Sequence, residues 1–412
     1  MSDRDLRDEI ARLTPEEPAV WERRLLEKLP QACNETRTPD REEDQSLFPL
    51  SFAQERMWFL EQLAPGTPLY NIPWAVRLVG RLDVDMLRES LDTLVGRHAI
   101  LRTTYQATAG APYQVACKSS SLPFSVVDLR GVTNREEKLQ ELLSEEARRP
   151  FDLTSDYMLR ATVVQLSDLE HVLLLIAHHI AADGSSCRVL NRELGLLYEA
   201  LRAGTEPDLP SLPIEYTDYA SWQRDEARSD DMERELTYWR KKLEGLPPTL
   251  DLPTQSSQPI EEPFVGATVR LSIPGAIVAR VRKLATELNA TPFMILVAAV
   301  MVILHRYTGE TDLSIGIPVE GRTRLETESL VGLFVNTLVL RCDLSGQPSF
   351  AEVAQRVREV CVEAYGHQEV PFERIVADLG AERIKDRPPL IQVMLAYQSF
   401  SSETLSLAGT NA

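Results

Sequence analysis

Residues 171–186 read HVLLLIAHHIAADGSS: an apolar run, two adjacent histidines and an Asp-Gly turn, in that order. The run VLLLIA has the pattern of a strand buried on both faces, and ring nitrogens at its end need a chemical reason. If the strand continues through His178 and His179, their side chains point to opposite faces, one toward the core and one toward a cavity, and do not readily close on one ion. The other histidines, His98, His171, His305 and His367, are scattered, and no Cys or His pair has zinc-ligand spacing, so no metal site is expected. Proton handling is the competing reading, because an imidazole with a pKa of ~6.5 accepts or donates a proton near neutrality. A helix is expected directly after the turn, capped by Ser185 or Ser186, with Val189, Leu190, Leu194, Leu197 and Leu201 on one face. Its N-terminus would then point at the Asp-Gly turn.

The 412 residues are 43% apolar and 26% charged, ordinary for globular protein and enough for two cores. A net charge of -18 and a pI near 4.9 weigh against nucleic acid and anionic membranes as partners, since either would repel such a surface. The five cysteines, Cys33, Cys117, Cys187, Cys342 and Cys361, are isolated and odd in number, the usage of reduced thiols in a cytoplasm. The apolar run Phe293–Leu304 is shorter than the ~20 residues of a bilayer span. It reads as a buried helix with Thr291 as N-cap and Pro292 at the first helical position.

Residues 1–45 stand apart as a charged, amphipathic helical leader, with a capping-box signature at Thr14 and Glu17, followed by a polar linker. A solvated helix and a docking element are both open readings of it. From Phe48 the pattern is mixed: the strand-like YNIPWAVRLVG from Tyr70, a helix over Asp83–His98, further short strands, and the strand that ends in the histidines. Proline-rich stretches, TEPDLPSLPIE and LPPTLDLPTQSSQPIEEP, then separate a first lobe, residues 46–222, from a second, residues 223–412.

With AHHIAADG in place, six further segments complete an ordered set: SFAQERMWFL from Ser51, RHAILRTTY from Arg97, YTDYASW from Tyr216, VGLFVNTLVLR from Val331, HQEVPFER from His367 and RPPLIQVML from Arg387. The chain resembles the condensation domains of nonribosomal peptide synthetases from about Phe48 to Gln398, and AHHIAADG is similar to their HHxxxDG signature. A lone HHxxxD would be shared with CoA-dependent acyltransferases, but seven ordered motifs are specific. The resemblance implies an α+β fold of two chloramphenicol-acetyltransferase-like lobes in a V arrangement, each a mixed sheet packed with helices, with an active-site tunnel between them. It implies a reaction in which a carrier-bound donor acyl thioester is joined to the α-amine of a carrier-bound acceptor.

Carried onto this sequence, the resemblance makes His179 the catalytic residue, as general base or as the group that positions the amine, and His178 a structural neighbour. Asp183 becomes a buried architectural carboxylate with Arg322 as its partner. Gly184 is expected to let the backbone turn sharply and present an amide to the thioester oxyanion. Asn336 and Ser185 are candidate substrate contacts. Ser185 stands where family members usually carry a large apolar residue, so it widens or polarises the tunnel wall. Arg56 and Arg102 read as structural salt bridges, and YTDYASW as an aromatic-packed segment. The intact histidine pair and SFAQERMWFLEQLAPGTPLYNIP resemble the subtype that accepts L-configured donors.

The expected partners are a donor carrier, delivered in trans because the first motif follows Met1 so closely, an acceptor carrier, and an adenylation domain in the natural chain. Neither nucleic acid nor membrane is among them. No cofactor is expected on the domain itself, the substrates arriving on 4'-phosphopantetheine. Family members continue past QVML, so the second lobe reads as truncated at its C-terminal end. Two alternatives stay open: a free-standing CoA-dependent acyltransferase, and a noncatalytic recruitment domain on the same fold.

Overall fold

A computed structural model describes residues 47–108, 111–118, 121–247, 249–250, 252, 267–380, 390–398 and 405–411. The leader of residues 1–45, Cys33 and the start of the RPPLIQVML segment lie outside the described residues. In chain order the elements are β1 (Phe48–Pro49), α1 (Phe52–Leu63), β2 (Asn71–Gly80), α2 (Val84–Arg97), β3 (Thr103–Thr108), β4 (Ala111–Ala116), β5 (Phe124–Asp128), α3 (Arg135–Arg148), β6 (Leu159–Ser167), β7 (Glu170–His178), α4 (Gly184–Ala203), α5 (Tyr216–Glu226) and α6 (Asp230–Leu243). They continue as α7 (Gly275–Glu287), α8 (Pro292–Thr308), β8 (Asp312–Val319), β9 (Asn336–Asp343), α9 (Phe350–Gly366), α10 (Phe372–Asp378) and β10 (Thr410–Asn411).

Two compact units divide these elements, and the division is not sequential. One takes the described residues of Thr38–Ser229, Arg322–Val335 and Phe400–Ala412; the other takes Asp230–Gly321 and those of Asn336–Ser399. The second half of the chain therefore does not run unbroken through one unit.

The first unit is built on a five-stranded sheet in the order β10-β2-β7-β6-β5, in which only β5 and β6 are parallel. β7 is the strand between β2 and β6, and successive side chains from Val172 to Ala177, which point to alternate faces of the sheet, are all at most 3% exposed, so both of its faces are covered. That is why the segment can be apolar without alternation. Pro73 is tolerated in β2 because β10 pairs only with Val79 and Gly80, so the other edge of β2 needs no N–H at Pro73. A smaller sheet, β1-β4-β3, completes the unit. Helix α4 lays Val189, Leu190, Leu194 and Leu197 into the core, and Leu201 is half-buried.

In the second unit β8 and β9 form an antiparallel pair, and Met394 bridges to Gly316 alongside β8. Helix α8 starts as its sequence predicts: the Thr291 hydroxyl accepts the Met294 N–H at 3.2 Å, with Pro292 at the first position. Its residues Met294, Ile295, Val297, Ala298 and Met301 are at most 3% exposed, so the apolar run is a core helix. No single helix among the described residues is long and apolar enough to cross a membrane.

Candidate active site

Strand β7 ends at His178, one residue earlier than a strand running through both histidines would. His178 is the last paired residue, opposite Asn71, and His179 opens the turn into α4. His179 N–H still reaches across to the Tyr70 carbonyl at 2.8 Å, one register beyond Asn71, but the strand stops there because Ile180 N–H folds onto His178 Nδ1 at 3.2 Å and Ala181 N–H turns back to the His178 carbonyl at 3.0 Å.

The two rings end in different surroundings. His178 is 2% exposed, with the edges of Tyr70 and Phe151 packed near it, and its Nδ1 accepts the Ile180 N–H at 3.2 Å. An accepting Nδ1 is bare, which demands a neutral ring. Burial, reinforced by His179 and by the Arg160 guanidinium, pushes its pKa down to about 3. His179 is half-buried, and its Nδ1 is enclosed with no hydrogen-bond partner among the described residues.

His178 should therefore leave a signature in acid. In the unfolded chain its ring protonates below pH ~6.5, whereas the folded protein keeps it neutral down to about pH 3. Its contribution is thus complete above the first value and lost as pH falls toward the second, at up to ~1.4 kcal/mol per pH unit. Urea unfolding measured across that window should show a slope that His178→Asn reduces by this amount. Coincident slopes would mean the ring is not held neutral.

Asp183 caps α4, a place expected to fall to Ser185 or Ser186. Its extended backbone and short carboxylate let Oδ1 reach the Ser186 N–H at 2.8 Å, the bond a helix start requires. The same oxygen accepts from the Ser186 hydroxyl at 2.8 Å and from Arg322 Nη2 at 3.2 Å, while Oδ2 accepts the Phe334 N–H at 3.0 Å. Side chains of Asp183 and Arg322 are 4% and 5% exposed. Arg322 also donates to the carbonyls of Thr327 and Leu330 and lies 4.2 Å over the Phe334 ring. The structure so brings together two residues 139 apart in sequence, within one unit.

Sequence reasoning named Ser186 only as a candidate cap and missed its buried role. Its hydroxyl meets the Asp183 carboxylate, Arg322 Nη2 at 3.0 Å, and both the N–H and the carbonyl of Gly332, at 3.0 and 2.8 Å. The only local signal was its place three residues after a capping Asp. Gly184 is exposed, its φ lies outside the left-handed region, and a Cβ there would meet nothing within 4 Å. Conformational freedom is thus not what the turn takes from Gly184. What remains is its backbone amide, which with that of Ser185 heads the helix, because the Ser186 and Cys187 N–H groups already return to Asp183.

Ser185 is buried, its hydroxyl accepting from Arg188 Nη2 at 3.0 Å. Burial and the neighbouring Asp183 push the Cys187 thiol up to about 12, which holds it in the neutral form. Asn336 belongs to the other unit, and its amide is committed to backbone. Nδ2 donates to the Gln368 and Val370 carbonyls at 2.8 and 2.7 Å, and Oδ1 accepts from Thr337 and Phe372 N–H at 2.8 and 3.0 Å. Both donors and both acceptor positions of the amide are used, so no free amide is left for the substrate contact expected of it. Arg102 donates to the Cys117 carbonyl, and no carboxylate pairs with it among the described residues. No group of three His, Cys, Asp or Glu side chains among the described residues is placed to hold a metal ion.

In YTDYASW the aromatic packing is explicit: Phe334 lies 5.1 Å from Tyr216 and 4.7 Å from Tyr219, centroid to centroid. A Cβ at Gly332 would stand 2.1 Å from Tyr216 Cδ2, so only glycine lets the 331–334 segment close on that ring.

Residues 44–411 match the family described as Condensation domain. The chain is 44% identical over 362 residues to one component of the linear gramicidin synthase of Brevibacillus parabrevis, covering 87% of this chain and 5% of that protein. It is 38% identical over 399 residues to the phosphinothricin tripeptide synthetase PhsC of Streptomyces viridochromogenes, covering 96% of this chain and 36% of that one. The chain thus spans a small part of the curated relatives it matches. Among solved structures, the X-domain from teicoplanin biosynthesis superposes with a TM-score of 0.79 at 32% identity, over 87% of this chain and 79% of that one. The first condensation domain of the CDA synthetase shares the fold, with a TM-score of 0.73 at 22% identity over 88% and 85% of the two chains. The histidine turn, the clasp beneath it, the family match and the likeness to peptide synthetases converge: the chain belongs to the condensation-domain family of nonribosomal peptide synthetases.

Proposed function

We propose that the chain forms an amide between a donor acyl or peptidyl thioester and the α-amine of an acceptor aminoacyl thioester, each carried on the phosphopantetheine of a carrier protein. The amine nitrogen attacks the thioester carbonyl carbon; a C–N bond forms, the nitrogen gives up a proton, and the C–S bond breaks to release the donor thiol. The observation that carries this reading is the contrast between adjacent rings. His178 spends its Nδ1 on backbone, whereas the half-buried His179 keeps a ring nitrogen with no hydrogen-bond partner among the described residues, on a turn that is fixed at both ends.

His179 is assigned the proton of the attacking amine, or the amine's orientation, and the Gly184 amide the developing oxyanion. Asp183 and Arg322 are assigned to architecture. The domain itself holds no cofactor, and an adenylation domain is its expected neighbour in a full synthetase. The intact histidine pair and the segment from Ser51 to Pro73 support the subtype that accepts L-configured donors.

The likeness to an X-domain favours a second reading, since a related structure is described as a complex of that X-domain with OxyB. On that reading the chain recruits a partner protein. The test is to mix it with aminoacyl-loaded donor and acceptor carriers and identify the acceptor-bound product by mass spectrometry. A dipeptidyl acceptor is expected. Carrier binding without any product would replace the reading with recruitment, and equal rates from CoA thioesters would replace it with a CoA-dependent acyltransferase.

A further inference from the structure

We propose that Gln54 is a positioning residue for His179, acting through the turn that follows it, and that the Tyr216 hydroxyl ties this grip to the Asp183 clasp; the inference rests on the condensation reading above. Gln54 is fully buried in the first turn of α1. Its Oε1 accepts the Ser51 N–H at 3.1 Å while the Ser51 hydroxyl accepts the Gln54 N–H at 3.2 Å, a reciprocal helix cap. Capping uses only the oxygen end of the amide and would be served as well on the surface. The nitrogen end does something else: Nε2 donates to the Ile180 carbonyl at 3.2 Å, with Tyr105 Oη and Gln114 Oε1 as its other neighbours at 3.2 and 3.4 Å.

Ile180 directly follows His179, and both of its backbone polar groups are held by side chains. Its N–H is on His178 Nδ1 at 3.2 Å and its carbonyl on Gln54. Three residues further on, Asp183 is held by Ser186, Arg322 and the Phe334 N–H. One hydroxyl joins the two grips. Tyr216 Oη donates to the Leu333 carbonyl at 2.6 Å and stands 3.0 Å from Ser51 Oγ, while the neighbouring Gly332 and Phe334 amides donate to Ser186 Oγ and Asp183. The turn bearing His179 is thus pinned at Ile180 and at Asp183 by one connected buried network, in addition to the backbone bonds from His179 to Tyr70 and from Ala181 to His178, and losing the first pin removes the only side-chain hold on the Ile180 carbonyl among the described residues. Displacements of about 1 Å at a reacting group cost up to ~10²-fold in rate.

The experiment is a mutant cycle on carrier-bound substrates. Gln54→Met keeps the side chain's length and removes its polar end. It is expected to lower kcat per folded molecule by about 10-fold or more, with donor KM within about twofold, and to add nothing in a His179→Ala background. Additive losses in that background, or an unchanged kcat with only a lowered Tm, overturn the inference while leaving the proposed reaction standing. A full rate in His179→Ala alone overturns the inference and the role assigned to His179, whereas no amide product from the unaltered protein overturns the reaction itself. Should Gln54→Met not fold, Tyr216→Phe, which deletes one oxygen from the same network, carries the cycle, and non-additivity with His179→Ala is again the required result.

Discussion

Replacing His179 by alanine is expected to lower amide formation on carrier-bound substrates by about 10²-fold or more, with the fold and the carrier affinities retained. Stability should change little because the ring is half-buried and its Nδ1 makes no hydrogen bond among the described residues. The turn keeps its backbone bonds to Tyr70 and His178 whatever side chain stands at 179. The loss should fall on kcat, since a proton or an orienting contact matters most once the amine is attacking. Steady-state kinetics with varied donor carrier, together with a melting curve, check this. A near-wild-type kcat would remove His179 from the chemistry, and the pH–rate profile of the intact protein separates a base from a group that only orients.

Asp183→Ala should behave in the opposite way, with a loss of ~3–5 kcal/mol in folding stability, because it leaves the buried Arg322 charge without its carboxylate. The side chains of the pair are 4% and 5% exposed, so water does not replace the missing partner. The same substitution strips the cap from α4 and orphans the Phe334 N–H. Arg322→Ala should cost a comparable amount, and the double variant less than the sum, as for any two members of one network. Denaturant unfolding of the three variants measures this. Full stability combined with a lost rate would turn Asp183 from an architectural residue into a catalytic one.

Much of the local structure was legible because it depends on neighbours in sequence. The apolar run before His178 is a covered strand, Thr291 and Pro292 start α8, and the helix after the Asp-Gly turn buries the face that its leucines and valine mark. The misreadings share one cause. Periodicity could not say that β7 stops at His178, because the stop is made by the Ile180 and Ala181 N–H groups turning back onto His178, a turn that an apolar pattern does not mark. Nor did it look past Ser185 and Ser186 to Asp183 as the cap, whose second oxygen is held by the distant Phe334 N–H. Asn336 looked available only because the carbonyls that consume its amide lie more than 30 residues away.

The sequence by itself determined the types of the elements around the histidines and, through seven ordered motifs, the family. Those are properties of composition, spacing and order, which survive without coordinates. Tertiary structure decided which polar atoms are spent and which are left. It returned residues 322–335 to the unit that carries the histidines, gave Ser186 and Gln54 their partners, committed Asn336 to backbone, and left His179 Nδ1 without a partner among the described residues. The physical reason is that a buried donor or acceptor must find a partner wherever the packed chain supplies one, and Gly332, which meets Ser186, lies 146 residues away along the chain.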